Sequence, residues 1–284
     1  MSIIDSFDDK SEELLKATDL PVHAGKIQEL GEFPETVIVT FSRKAVDLAR
    51  NKFGAREISF MLTGEKIPVY EMDLPEEFGQ GPDMTGSRSH DSERWLEPAD
   101  SQSHRKLAIY QSGMGAPLAV ALLEEVIAKG GRKFIVFGSC GALLQNLAEG
   151  RLIVPDEAYR DEGTSYHYAP AADYITVKNA DLVSKVLSEI EVPHVEGRIW
   201  TTDGLYRETK NNADARRAEG CIAVDMECSA LQAACNMRNV ELYQYVYAED
   251  MLSDSDWMPR NMGLVTHDEM EGHLRVAMEI AARI

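Results

Sequence analysis

Three short runs, ETVIVTFS (35–42), KLAIYQSG (106–113) and KFIVFGSCG (133–141), are apolar at nearly every position of their cores. A strand with one wet face alternates apolar and polar residues, so runs like these demand cover on both faces. Helical patterns lie between them. SRKAVDLARNKFG (42–54) follows the first run and closes on Gly54, and APLAVALLEEVIAKG (116–130) follows the second. In the latter, Leu118, Leu122 and Val126 stack at i, i+4 and i+8, Leu123 and Ile127 widen the stripe, and Pro117 suits a first turn. Further strands are expected at 150–159, 195–203 and 240–250. Further helices are expected at 179–190, within 223–239, and at 266–283. Segments 58–62 and 67–71 have the pattern of a hairpin. The alternation predicts an α/β fold: one domain over 1–284, with a mixed central β-sheet flanked by α-helices. Residues 1–20 read as an N-terminal extension. Residues 73–105, rich in Pro, Gly, Ser, Asp and Glu, read as one long loop of the kind that is functional or mobile.

Charge narrows the partners. With 29 Lys and Arg against 48 Asp and Glu, the net charge is −19. Phosphate backbones and anionic membranes both need clustered cations, so neither nucleic acid nor a membrane surface is an expected partner. The opening MSIIDSFDDKSEELL is polar and acidic, unlike a signal peptide, and no run is long enough to span a bilayer. Cys140, Cys221, Cys228 and Cys235 form no CxxC pair and read as small buried hydrophobes in a reduced, cytoplasmic protein.

Ligands of open α/β sheets gather at the carboxyl ends of strands. Four polar stretches fall there: SGMGAP (112–117), GSCGA (138–142), TTDGLYRET (201–209) and AEDMLSDSDW (248–257). The glycines of the first two allow close backbone approach to a ligand, and a helix beginning near Ala116 offers a partly positive N-terminus. Neither stretch is GxGxxG, so a dinucleotide site is not indicated. IAVDMECSAL (222–231) sets Asp225 and Glu227 among apolar neighbours, where a carboxylate requires a partner. Asp225 reads as structural or exposed.

In this order the stretches resemble the nucleoside phosphorylase/uridine phosphorylase superfamily. GMGAP resembles its first glycine turn, GSCGAL its second, TTDGLYRET its base-pocket segment and AVDMECSAL its M-E signature. The resemblance implies that Glu227, with Met226 packed on the sugar, accepts hydrogen bonds from ribose hydroxyls, and that Asp250 delivers a proton to a purine base. It further implies His23 at the ribose from a neighbouring subunit, and Cys140, Gly141, Leu205, Tyr206 and Arg207 around the base. Gly138, Ser139, Arg43 and Arg88 would hold phosphate. His167, in HYAP (167–170), reads as structural. No cofactor and no metal are implied. Inorganic phosphate is the co-substrate, and a homodimer or hexamer the assembly.

Two basic contacts of that family are altered. VTFSRKA (39–45) replaces a Gly-Asp-Pro-x-Arg turn, leaving Arg43 or Lys44 as substitutes, and Val136 stands where an arginine is expected. Arg88, Arg94 and Arg105 in the long loop are the remaining candidates. Three functions therefore stay open at this level. They are phosphorolysis to free base and (deoxy)ribose 1-phosphate, hydrolysis of the same bond by water, and nucleoside binding without catalysis.

Overall fold

The computed structural model describes residues 2–20, 32–63, 66–79, 105–147, 150–252 and 257–284. His23, Arg88, Arg94 and most of the expected 73–105 loop lie outside them. The described chain contains an eleven-stranded mixed sheet with helices on both faces.

The three apolar runs form its centre. Strand β1 (Thr36–Thr40) lies between β4 (Lys106–Gln111) and β5 (Lys133–Ala142), parallel to both. Alternate residues go to opposite faces. Ile38, Ile109 and Ile135 pack against helices α1 (Arg43–Lys52), α4 (Ala180–Glu189) and α7 (His267–Arg283). Val37, Ala108, Phe134 and Val136 pack against α2 (Ala116–Lys129) and α6 (Cys228–Arg238). This double cover is why no polar alternation marks the runs. Strands β2 (Arg56–Met61) and β3 (Ile67–Asp73) extend one side of the sheet as the expected hairpin.

Past β5 the sheet curls. Strand β10 (Glu241–Leu252) pairs parallel to β5 and antiparallel to β6 (Leu152–Asp161). Strand β8 (His194–Thr202) joins β6 to β9 (Cys221–Asp225), and β9 returns to the far end of β5. Five strands thus close a ring. Short strands β7 (Tyr174–Thr176) and β11 (Trp257–Met258) edge it, and the single-turn α3 (Ser165–Tyr168) and α5 (Lys210–Ala218) complete the helices.

Three details depart from the sequence reading. The stretch GSCGA is no turn: β5 continues through it to Ala142, held by β10 and β9. Strand β9 precedes the helix expected within 223–239; four apolar residues and an aspartate running into a helix have no period of their own. Helix α5, not expected, follows directly on the base-pocket segment and is capped by that segment's last residue, Thr209, whose hydroxyl accepts from Asn212 N–H at 3.4 Å. Asp225, read as structural or exposed, is buried and bonded within the protein, as the structural reading has it. The four cysteines are free and buried. Among the described residues no helix is long and apolar enough to cross a membrane.

The ring closes tightly at Gly141. A Cβ there would meet Leu252 and Val224 at 2.9 Å and an Asp250 carboxylate oxygen at 3.1 Å. Gly141→Ala is therefore expected to cost about 1–3 kcal/mol, the usual penalty of overpacking. Urea denaturation followed by circular dichroism checks this.

Candidate functional site

Strand β9 ends at Asp225, and α6 begins two residues after Met226. The first turn of a helix has N–H groups without partners in the helix. Here Asp225 Oδ2 accepts from Glu227 N–H at 3.0 Å and from Cys228 N–H at 2.7 Å, while Oδ1 accepts from the Thr201 hydroxyl at 2.7 Å. Hydrogen bonds to a charged group contribute about 1.5–3 kcal/mol each. Asp225 is 8% exposed and so is Glu227. Glu227 Oε1 accepts from Gly115 N–H at 2.5 Å, at the start of α2. Gly115 has φ +99°, a conformation that suits glycine. Burial first, and then the like charge of Asp225, push the Glu227 carboxyl above the usual carboxylate range. Burial likewise raises Asp225.

Asp250 comes from the other side of the ring. Its strand slips register between Ala248 and Asp250: Ala248 pairs with Cys140, and Asp250 with Gly141. Such a bulge re-aims side chains. Asp250 Oδ2 accepts from Trp257 Nε1–H at 2.6 Å, and burial raises its carboxyl. Glu208, at the end of the turn Leu205–Arg207, is pushed up to about 7 by burial and then by the charge of Asp250.

Glu227 and Asp250 line one cleft of about 410 Å³. Met226, Cys140, Gly141, Leu205 and Ser139 line it too, as the sequence led one to expect. Phe41, Ser112, Met114, Glu208 and Met262 join them. Other candidates are elsewhere. Tyr206 is 95% exposed and Arg207 is exposed; neither lines the cleft, because the tight turn at 205–207 points only Leu205 inward. Arg43 is exposed, pairs with Asp47 at 3.2 Å one helical turn away, and does not line the cleft. Gly138 is buried within β5 beside the Phe41 ring, which a Cβ would meet at 2.7 Å. Val136 sits in the apolar layer under α2 and α6. Lys44 Nζ donates to the Val265 carbonyl at 2.5 Å, and its charge is felt by Glu249 at the cleft wall. Among the described residues, the charged side chains of the lining are all carboxylates: Glu208, Asp225, Glu227, Glu249 and Asp250.

RETKNN (207–212) offers Arg207 and Glu208 as contacts for a base or for each other; of the two, Glu208 lines the cleft and Arg207 does not. The Trp257 contact was hidden in the sequence, since it depends on the pairing of β11 with β10.

Comparison with known proteins bears on the fold and the family. A guanosine phosphorylase of Halorubrum lacusprofundi is 28% identical over 137 residues, which make up 47% of this chain and 56% of that protein. The purine nucleoside phosphorylase of Toxoplasma gondii superposes with a TM-score of 0.66 at 14% identity, over 89% of this chain and 92% of that one. The AMP nucleosidase of Bacteroides thetaiotaomicron superposes with a TM-score of 0.64 at 16% identity, over 89% of each chain. At such identities the structures show a shared fold alone. The phosphorylase superfamily model matches residues 102–284, and this chain belongs to that superfamily.

Proposed function

We propose that the protein cleaves the N-glycosidic bond of a purine nucleoside by phosphorolysis, giving the free base and (deoxy)ribose 1-phosphate. The observation that carries this reading is the meeting of Glu227 and Asp250 in one cleft from strand ends on two sides of the ring. As the bond breaks, its electron pair leaves with the base and positive charge grows on the sugar. Glu227, accepting from sugar hydroxyls, favours that charge more than it favours the ground state, which is what catalysis requires. Met226 packs on the sugar. Asp250 supplies the proton that neutralises the departing base. A carboxyl raised by burial suits that task. Glu208 beside it favours one shared proton over two charges, and Trp257 fixes the orientation of Asp250.

Phosphate is the proposed co-substrate, without cofactor or metal. Support comes from the superfamily, from the relative named a guanosine phosphorylase, and from the α2 N-terminus beside the cleft. Ser139 offers a hydroxyl. His23 and Arg88, outside the described residues, would complete the site from a second copy in a homodimer or hexamer. Hydrolysis is the second reading, favoured by one observation: the described lining holds only carboxylates, which repel a dianion and could activate water.

Glu227→Gln is expected to lower kcat/KM at least ~10²-fold while the fold persists, since one positioned transition-state partner contributes a few kcal/mol. Asp250→Asn should harm purine nucleosides far more than pyrimidine ones. Equal effects on both, measured by chromatography of the released base, would remove Asp250 from base protonation.

The acceptor is read from the products. Base release should rise with added phosphate and yield pentose 1-phosphate. Equal rates in phosphate-free buffer, with free pentose as product, would establish hydrolysis instead.

A further inference from the structure

Both oxygens of Asp225 are taken by the protein's own donors, and those donors belong to a longer buried chain. Thr201 Oγ1, which donates to Asp225, also accepts from Ser229 N–H at 3.2 Å. The Ser229 hydroxyl donates to Glu162 Oε1 at 2.9 Å, and Glu162 Oε2 accepts from Ser165 N–H at 2.9 Å. Arg160 Nε donates to the Ser165 hydroxyl at 2.8 Å. Arg160, Glu162, Ser165, Thr201, Asp225 and Ser229 are all buried. The N–H groups of the first turn of α6, at Glu227, Cys228 and Ser229, are thereby all held from β9 and β8.

A serine or asparagine could cap this turn at a lower desolvation cost than a buried carboxylate. Asp225 instead sets a second buried charge two residues from Glu227. We propose that Asp225 is a positioning residue for Glu227, clamping its backbone and turning its carboxylate toward Gly115 and the sugar side of the cleft. The clamp is the pair of bonds from Glu227 and Cys228 N–H to one oxygen. The turning force is like-charge repulsion between two buried carboxylates, with the Gly115 N–H as the attraction at the far end. This inference rests on the reading of Glu227 as the sugar-binding group.

Among the described residues, Glu208, Glu249 and Asp250 share the cleft lining with Glu227. Asp225 on β9 and Asp203 beyond β8 both raise its carboxyl, and Gly115 and Met226 backbone N–H groups lower it. Glu162, beyond β6, acts on Asp225 from behind. The thiols of Cys228 on α6 and Cys140 on β5 are pushed far up and stay neutral. The sign follows. Asp225 as an anion disfavours a second anion at Glu227, so removing that charge lets Glu227 ionise at lower pH. A purely structural cap would move stability and leave this titration in place.

The test follows the Glu227 carboxyl by ¹³C NMR in protein labelled at glutamate side-chain carboxyls, with Glu227→Gln assigning the signal. In Asp225→Asn the Glu227 midpoint should move to lower pH by about one pH unit or more. Asp203→Asn, which removes an exposed charge making no bond to the α6 turn, should move it less. In Asp225→Asn the acid limb of kcat/KM against pH for nucleoside cleavage should move the same way as the midpoint. The kcat of Asp225→Asn should fall roughly tenfold or more with KM changed less, as a displaced transition-state partner requires. If Asp225→Asn does not fold, Asp225→Ser, which keeps a capping hydroxyl, reads the same shift. An unmoved Glu227 midpoint in a folded variant overturns the proposal, whatever the activity of the wild type. A wild type that cleaves no nucleoside removes the sugar-binding reading of Glu227 alone, and the titration still decides whether Asp225 governs Glu227.

Discussion

Strands β5 and β10 run side by side from Lys133 opposite Glu241 to Ala142 opposite Met251. Their first halves belong to the doubly covered sheet, and their far halves belong to the ring. One long parallel pairing therefore does two jobs. It carries the apolar residues that anchor the helices, among them Phe137 stacked on Tyr245 at 5.5 Å between ring centroids. It also carries the glycines and the register slip that open a polar cleft at the end of the sheet. Parallel strands present their carboxyl ends together, so a ligand site there follows from the topology. Gly141 is the junction: with any side chain, the Asp250 carboxylate could not come as close as it does.

The cleft is an acidic place built by burial. Five carboxylates line it among the described residues, and burial together with their mutual charge pushes several of their carboxyls up. Glu208 near 7, Glu227 raised, and Asp250 raised with its indole partner all point the same way. Such a wall favours ligands that bring hydrogen-bond donors, as sugar hydroxyls and purine N–H groups do. It opposes a free dianion, and this is where the chain parts from the pattern of the phosphorylases it resembles.

The sheet was legible because double cover leaves a mark no loop can imitate: ETVIVTFS, KLAIYQSG and KFIVFGSCG each became a central strand. The M-E pair was legible for the same reason in reverse, since carboxylates amid AV and AL have no cheap explanation. What could not be read was whatever depends on a turn or a distant neighbour. LYR gave one inward residue, Leu205, and two outward ones. GSCGA read as a turn because it holds two glycines, yet its glycines serve close packing of Phe41, Val224 and Asp250 within a strand. Asp225 looked ordinary because its value lies in Thr201, twenty-four residues earlier, and in the two N–H groups that follow it.

The central claim is that Glu227 acts on the sugar hydroxyls. The most direct measurement compares a ribonucleoside with its 2′-deoxy counterpart in wild type and in Glu227→Gln, by kcat/KM. A hydroxyl bonded to a charged carboxylate contributes about 1.5–3 kcal/mol, so its loss should cost the wild type roughly tenfold or more. In Glu227→Gln that penalty should largely vanish, because the charged partner is already gone. An equal penalty in both proteins would mean that the hydroxyl and Glu227 act independently, and the account of the cleft would fail.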